Sequence, residues 1–280
     1  MKYQAVIIDL DGTLLNDNNE FATNNVEAIR DALDEGYAIT LASGRPHALM
    51  LPFAEQLGIT MPLICCNGAY QYDIENERVV NGQPIDNQVL PQLIDNLDSE
   101  QFDFTLYSSN GIFATHTSNH YEGLRKQLMK FNVESPISIV PSLNKLKESC
   151  GDVYKILVSS SDKQALHQLR ASLRSSLQAE LSTPNKLDIT QLNVNKGQSA
   201  LDWLSQFDFN PNNTIAFGDG DNDTELFKAV GEPIAMANAS PDLRRLANLI
   251  VTDNNGCGIG QYLRFIIREG RHSCQHSYSY

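Results

Sequence analysis

Two aspartates one residue apart, Asp9 and Asp11, close a short apolar run and are followed at once by Gly12-Thr13. Carboxylates held that near each other repel, and the pairing is costly unless a cation or a shared proton relieves it. A hard divalent ion with oxygen ligands, such as Mg2+, is the natural relief. The other reading is that the pair only caps and solvates a turn, since Asp-Gly is a common turn dipeptide. Three further clusters bear on that choice. Ser43-Gly44 offers a hydroxyl and backbone N–H groups, the donors a phosphate needs, although Ser43 taken alone is more commonly a simple turn or cap residue. Lys196 offers an ammonium able to neutralise a phosphoryl oxygen and a nucleophilic carboxylate together, although most lysines are solvated surface groups. Gly218-Asp219-Gly220-Asp221-Asn222-Asp223 packs three carboxylates and an amide into one loop. That density again asks for a cation, with an acidic helix start favoured by the macrodipole as the rival.

The surrounding pattern says where these clusters must lie. Val6-Ile7-Ile8 is β-branched and continuous, as in a strand buried on both faces of a parallel sheet, and Gly12 turns the chain off it. An amphipathic helix follows over 24–35, with Val26, Ile29, Ala32 and Leu33 on one stripe and Gly36 at its end. A second strand is expected over 37–41, then the loop Ala42 to Pro46 opening another helix, then a strand over 62–66. Asn67-Gly68 turns that strand into a hairpin, 69–73 against 78–80. Repeated strand–helix–strand units imply a doubly wound parallel sheet.

From about Pro84 to Asp188 the rhythm changes. Strands over 104–107 and 112–115 flank the turn Ser108 to Gly111, helices are expected over 88–97 and 120–131, and a second set follows. It comprises a strand over 153–158, a helix over 162–177 and short strands over 179–181 and 187–190. The alternation then resumes with a helix over 196–207, a strand over 214–217, a helix over 221–229, strands over 233–236 and 249–251, and a helix over 256–268. The fold class is therefore α/β. A doubly wound parallel-sheet core is expected over 1–83 and 189–270, an inserted α+β cap domain over 84–188, and a frayed polar tail over 271–280. His272 and His276 have metal-like spacing only if that tail is helical. Each chemical cluster falls where a strand ends or a helix starts, the edge at which open α/β sheets bind ligands. Their joint occurrence at one sheet edge is what favours chemistry over four unrelated turns.

Composition narrows the partners. A net charge of −13 over 280 residues argues against nucleic acid or an anionic membrane, but not against a small phosphate ester met by a metal and a few cations. No apolar stretch approaches the roughly 20 residues of a membrane span, and no signal-peptide pattern opens the chain. Cys65 and Cys66 are adjacent while Cys150, Cys257 and Cys274 are scattered, an odd set without zinc spacing that reads as reduced thiols in a cytoplasmic protein.

The ordered motifs Asp9-Leu10-Asp11-Gly12-Thr13, Ser43-Gly44-Arg45, Lys196-Gly197 and Gly218 to Asp223 closely resemble those of the haloacid-dehalogenase superfamily of phosphohydrolases. The resemblance runs to about Arg268 and is to the Cof-like branch, with a large type IIB cap between the second and third motifs. It implies a Rossmann-like core and a Mg2+-dependent phosphatase acting on small phosphate monoesters through an aspartyl-phosphate. Asp9 would be the nucleophile and Asp11 the acid and base. Mg2+ would be held by Asp9, the Asp11 carbonyl and Asp219. Leu10, Ser43, Gly44, Lys196 and Asn222 would hold phosphoryl oxygens, and Asp223 would orient the metal's outer shell or Lys196. Ser43 stands where the family often has Thr, and Gly220 where it usually has a larger residue. The stretch Cys65 to Asp73 is similar to that of Cof-like enzymes acting on pyridoxal 5′-phosphate, so that ester ranks ahead of sugar phosphates. The implied cap would close over the sheet edge and contact the leaving group. A phosphosugar mutase and a non-catalytic phosphometabolite sensor are the alternatives, and the oligomeric state is left open.

Overall fold

The structure, a computed structural model, describes residues 3–116, 121–123, 125, 126, 137–173 and 175–276. The chain divides into two compact units, one of residues 1–45, 53–78 and 195–280, the other of residues 46–52 and 79–194. Along the chain run β1 (Ala5–Asp9), α1 (Thr23–Asp34), β2 (Ala38–Ala42), α2 (His47–Leu57), β3 (Leu63–Cys65), β4 (Tyr70–Asp73) and β5 (Arg78–Gly82). Next come α3 (Leu90–Ser99), β6 (Asp103–Ser108), β7 (Gly111–Ala114), β8 (Ile137–Ile139), α4 (Leu143–Ser149), β9 (Val153–Ser159), α5 (Lys163–Leu173), β10 (Leu177–Thr183) and β11 (Lys186–Gln191). The chain closes with α6 (Lys196–Gln206), β12 (Thr214–Gly218), α7 (Thr224–Ala229), β13 (Glu232–Ala235), α8 (Pro241–Leu246), β14 (Leu249–Ile250) and α9 (Gly258–His276).

In the first unit the strand order is β14-β13-β12-β1-β2-β3-β4, parallel from β14 to β3 and antiparallel between β3 and β4. β1 sits in the middle of that sheet, every residue buried, which is why its side chains are apolar on both faces until Asp9. Its register is set by Ile8 opposite Leu41 on one side and Phe217 on the other. Trp203 on α6 and Leu226 and Phe227 on α7 pack with Ile7 of β1 in one core cluster. α1 and α9 pack together, and the Gly260 N–H donates to Asn25 Oδ1 at 2.9 Å between them. The common strand direction brings the ends of β1, β2 and β12 to one edge.

The second unit carries its own sheet, β10-β11-β9-β6-β7-β8, antiparallel except between β7 and β8. Leu93, Ile94 and Leu97 of α3, Leu146 of α4 and Leu166 and Leu169 of α5 pack in its core cluster.

The structure departs from the sequence pattern in five places. β8, α4 and α8 are too short for apolar periodicity to show. The segment expected as a helix over 221–229 is a 3-10 turn at Asp221–Asp223 followed by α7, because Asp223 bends back to cap its own loop. The tail expected to fray over 271–280 instead continues α9 as far as His276, and the Arg271 guanidinium pairs with Glu35 of α1. The side chains of His272, Cys274 and His276, and most of the helix expected over 120–131, lie outside the described residues. No helix among those described is long and apolar enough to cross a membrane.

Candidate active site

β1 delivers Asp9 to the sheet edge with only 4% of its surface exposed. Lys196 arrives from the first residue of α6, a helix capped by Asn195, whose side-chain oxygen accepts from the Gln198 N–H at 2.8 Å. The ammonium is fully buried, its Nζ donating to Asp9 Oδ1 at 2.5 Å and to Asp223 Oδ1 at 2.6 Å. Asp223 is anchored in turn, its Oδ2 accepting from the Asp219 and Gly220 N–H groups at 3.1 Å each. Asp219 follows β12 and is held by the Thr13 hydroxyl, which donates to Oδ1 at 2.7 Å. Gly12 makes this approach possible. Its φ is +78°, and a Cβ there would lie 2.9 Å from the Asp219 carboxyl carbon.

One carboxylate oxygen from each of Asp9, Asp219 and Asp223 lies within 4.8 Å of the others. Three carboxylates thus gather near one buried ammonium, which pairs with Asp9 and Asp223, while Asp219 stays partly exposed. Burial pushes Asp9 well above the usual carboxylate range, with Asp223 and Asp219 pushing the same way and Lys196 opposing. Burial likewise pushes Asp219 up to about 6, against the pull of the Thr13 hydroxyl. Burial alone would lower Lys196, but Asp223 and Asp9 outweigh it and hold the ammonium charged. Asp223 has one oxygen on Lys196 and the other on two backbone N–H groups, so its lone pairs are largely committed. Asp9 and Asp219 keep the oxygens best placed for a divalent cation. Uncompensated negative charge, oxygen donors and burial together fit Mg2+.

A second group lies beside the first. Asp11, half exposed, is gripped by Arg45, whose Nε donates to Oδ2 at 2.7 Å and whose Nη2 donates to Oδ1. The Ser43 hydroxyl accepts from the backbone N–H of Arg45 at 3.2 Å and donates toward Asp11 Oδ2 at 3.5 Å. Leu10 is fully buried and its carbonyl accepts from the Leu14 and Leu15 N–H groups. Gly44 packs against the Asn67 side chain, to which the exposed Asn222 donates at 3.0 Å.

Several of these contacts involve residues to which the motifs assign no role. Thr13 and Arg45 stand inside quoted motifs, yet only the fold shows what their side chains touch. Asn67 occupies a left-handed conformation, as does Cys66 before it, a strained pair of the kind that gathers at functional sites. The Asn67 N–H donates to the Ser43 carbonyl and the Cys66 N–H to the Arg45 carbonyl, both at 2.9 Å, so this turn steadies the Ser43 loop. Asn-Gly in the sequence signalled a turn, but not which loop it braces. Asn238, which donates to the Gly12 carbonyl at 2.8 Å, carried no signal at all.

Comparison with known proteins supplies a separate line of observation. Residues 6–263 match the family model of haloacid dehalogenase-like hydrolases. The pyridoxal phosphate phosphatase YbhA of Escherichia coli is 27% identical over 267 residues, covering 94% of this chain and 98% of its own. The phosphatase YwpJ of Bacillus subtilis is 26% identical, covering 94% of this chain and all of its own. A haloacid dehalogenase-like hydrolase from Bacteroides thetaiotaomicron superposes with a TM-score of 0.84 at 24% identity, over 94% of this chain and 99% of that one.

Proposed function

We propose, from the premise that this chain belongs to the haloacid dehalogenase-like hydrolase family and is a phosphoric monoester hydrolase of that type, that it is a Mg2+-dependent phosphatase working through an aspartyl-phosphate. The observation that carries the reading is the buried junction of Asp9, Lys196, Asp223 and Asp219, drawn from chain positions far apart. Asp9 would attack phosphorus with its free oxygen, forming an acyl phosphate as the ester oxygen departs. Asp11 would give that oxygen its proton, then take one from the water that attacks phosphorus and releases inorganic phosphate. Lys196 would hold Asp9 in place and offset charge on the phosphoryl oxygens. Ser43, Gly44, the Leu10 N–H and Asn222 would complete the cradle, and Asp223 would keep Lys196 aimed. Mg2+, held by Asp9, Asp219 and the Asp11 carbonyl, would neutralise the carboxylate cluster and draw nucleophile and phosphoryl group together.

Pyridoxal 5′-phosphate ranks first among substrates, supported by the Cys65 to Asp73 stretch and by the likeness to YbhA. The test is phosphate release from a panel of monoesters, with and without Mg2+. Faster turnover of pyridoxal 5′-phosphate than of sugar phosphates, lost on chelation, is the expected result. Equal rates across the panel would remove the substrate ranking, and isomerised sugar phosphate without free phosphate would replace hydrolysis by mutase chemistry.

A further inference from the structure

We propose that Arg45 is a clasp on Asp11 that the phosphoryl group of the substrate opens, one guanidinium serving first the acid–base carboxylate and then the incoming ester. The inference rests on the role given to Asp11 above. Arg45 grips Asp11 in a two-pronged fork, Nε to Oδ2 at 2.7 Å and Nη2 to Oδ1. Nη2 also donates to Asn19 Oδ1 at 3.2 Å, and the guanidinium carbon lies 5.3 Å from the centre of the Phe53 ring. The two halves of the pair are unequal. The Arg45 side chain is 12% exposed and the Asp11 side chain 50% exposed. The cation is therefore seated between an aromatic face and an amide, while the carboxylate is the half with room to move.

In the fork both Asp11 oxygens face N–H donors, so neither is turned toward a leaving oxygen. Proton transfer needs one of them released. A phosphate ester presents a denser negative charge of the geometry a guanidinium matches with two parallel hydrogen bonds, so it can compete for the same fork. The Ser43 loop adjoins both partners, since the Ser43 hydroxyl accepts from the backbone N–H of Arg45 and reaches Asp11 Oδ2. A substrate seated on the Ser43 loop would meet Arg45 and Asp11 together. The clasp thus ties release of the acid–base group to occupancy of the phosphate site.

The experiment is a binding cycle with inorganic phosphate as probe, read by calorimetry on the Mg2+-loaded full chain. The four proteins are wild type, Asp11→Asn, Arg45→Gln and the double variant. Freeing the fork should make Asp11→Asn bind phosphate about tenfold more tightly than wild type. The double variant should bind no more tightly than Arg45→Gln. An equal gain from Asp11→Asn with and without Arg45 would mean that only a repelling charge had been removed, and would overturn the clasp. If Arg45→Gln fails to fold, Arg45→Lys serves, since it keeps charge but loses the fork. Phosphate release by the wild type judges the phosphatase reading separately: turnover with no coupling in the cycle sinks the clasp alone, and no turnover sinks the reading beneath it.

Discussion

At Lys196 one ammonium stands between Asp9 and Asp223, with none of its side chain in contact with solvent. A buried pair of this kind adds little net stability, because desolvation offsets the attraction, but removing one partner strands the other. Lys196→Ala should therefore lower unfolding free energy by about 3–5 kcal/mol, measured by urea denaturation, since it leaves two buried carboxylates unmatched. Adding Asp223→Asn to that variant should restore part of the loss, and a fully additive double variant would show that the two side chains are not coupled. Asp9→Asn makes a different prediction. It keeps the shape and removes the proposed nucleophile, so phosphate release should fall by at least about a thousandfold while the urea midpoint moves little.

Asn195 and His47 show what the elements contribute. Asn195 caps α6 and so fixes where Lys196 begins its reach. Asn195→Ala should cost about 1 kcal/mol in stability and a larger share of turnover, because the helix start and the ammonium move together. At the first residue of α2, burial lowers His47 to about 4 from an ordinary 6.5. As pH falls through that window the unfolded chain takes up the proton first, so the contribution of neutral His47 is full above about 6.5 and is lost toward 4. His47→Gln should flatten this part of the stability profile, and denaturation midpoints at pH 7 and 4.5 for both proteins would reveal it. The long elements were legible because their periodicity spans several turns or a whole buried strand, as in β1, α1 and α6. α4, α8 and β8 were not, since three to seven residues carry too few apolar repeats. At the site, the proximity of Asp9, Lys196 and Asp219 followed from motif order and sheet direction. The Arg45 fork and the Asn67 brace did not, because side-chain contacts between loops leave no periodic trace.

For the whole molecule the governing quantity is charge. An acidic chain concentrates three carboxylates around one buried ammonium, so a divalent ion that binds only the folded form should stabilise it by mass action. Saturating Mg2+ at about a hundred times its dissociation constant should add about 3 kcal/mol, seen as a rise in Tm. Asp219→Asn should abolish most of that rise, and an unchanged rise would place the ion elsewhere. A different consequence follows from the position of β1. One of its flanks pairs with β2, and the other waits for β12, which begins only at Thr214, after the entire second unit. On the ribosome that wait lasts on the order of ten seconds or more, with one side of Ala5 to Ile8 lacking its ladder. A nascent chain stalled before Thr214 is therefore an open-edged sticky strand suited to chaperones, and the aspartate proposed as its nucleophile is synthesised long before Lys196 and Asp219 exist to meet it.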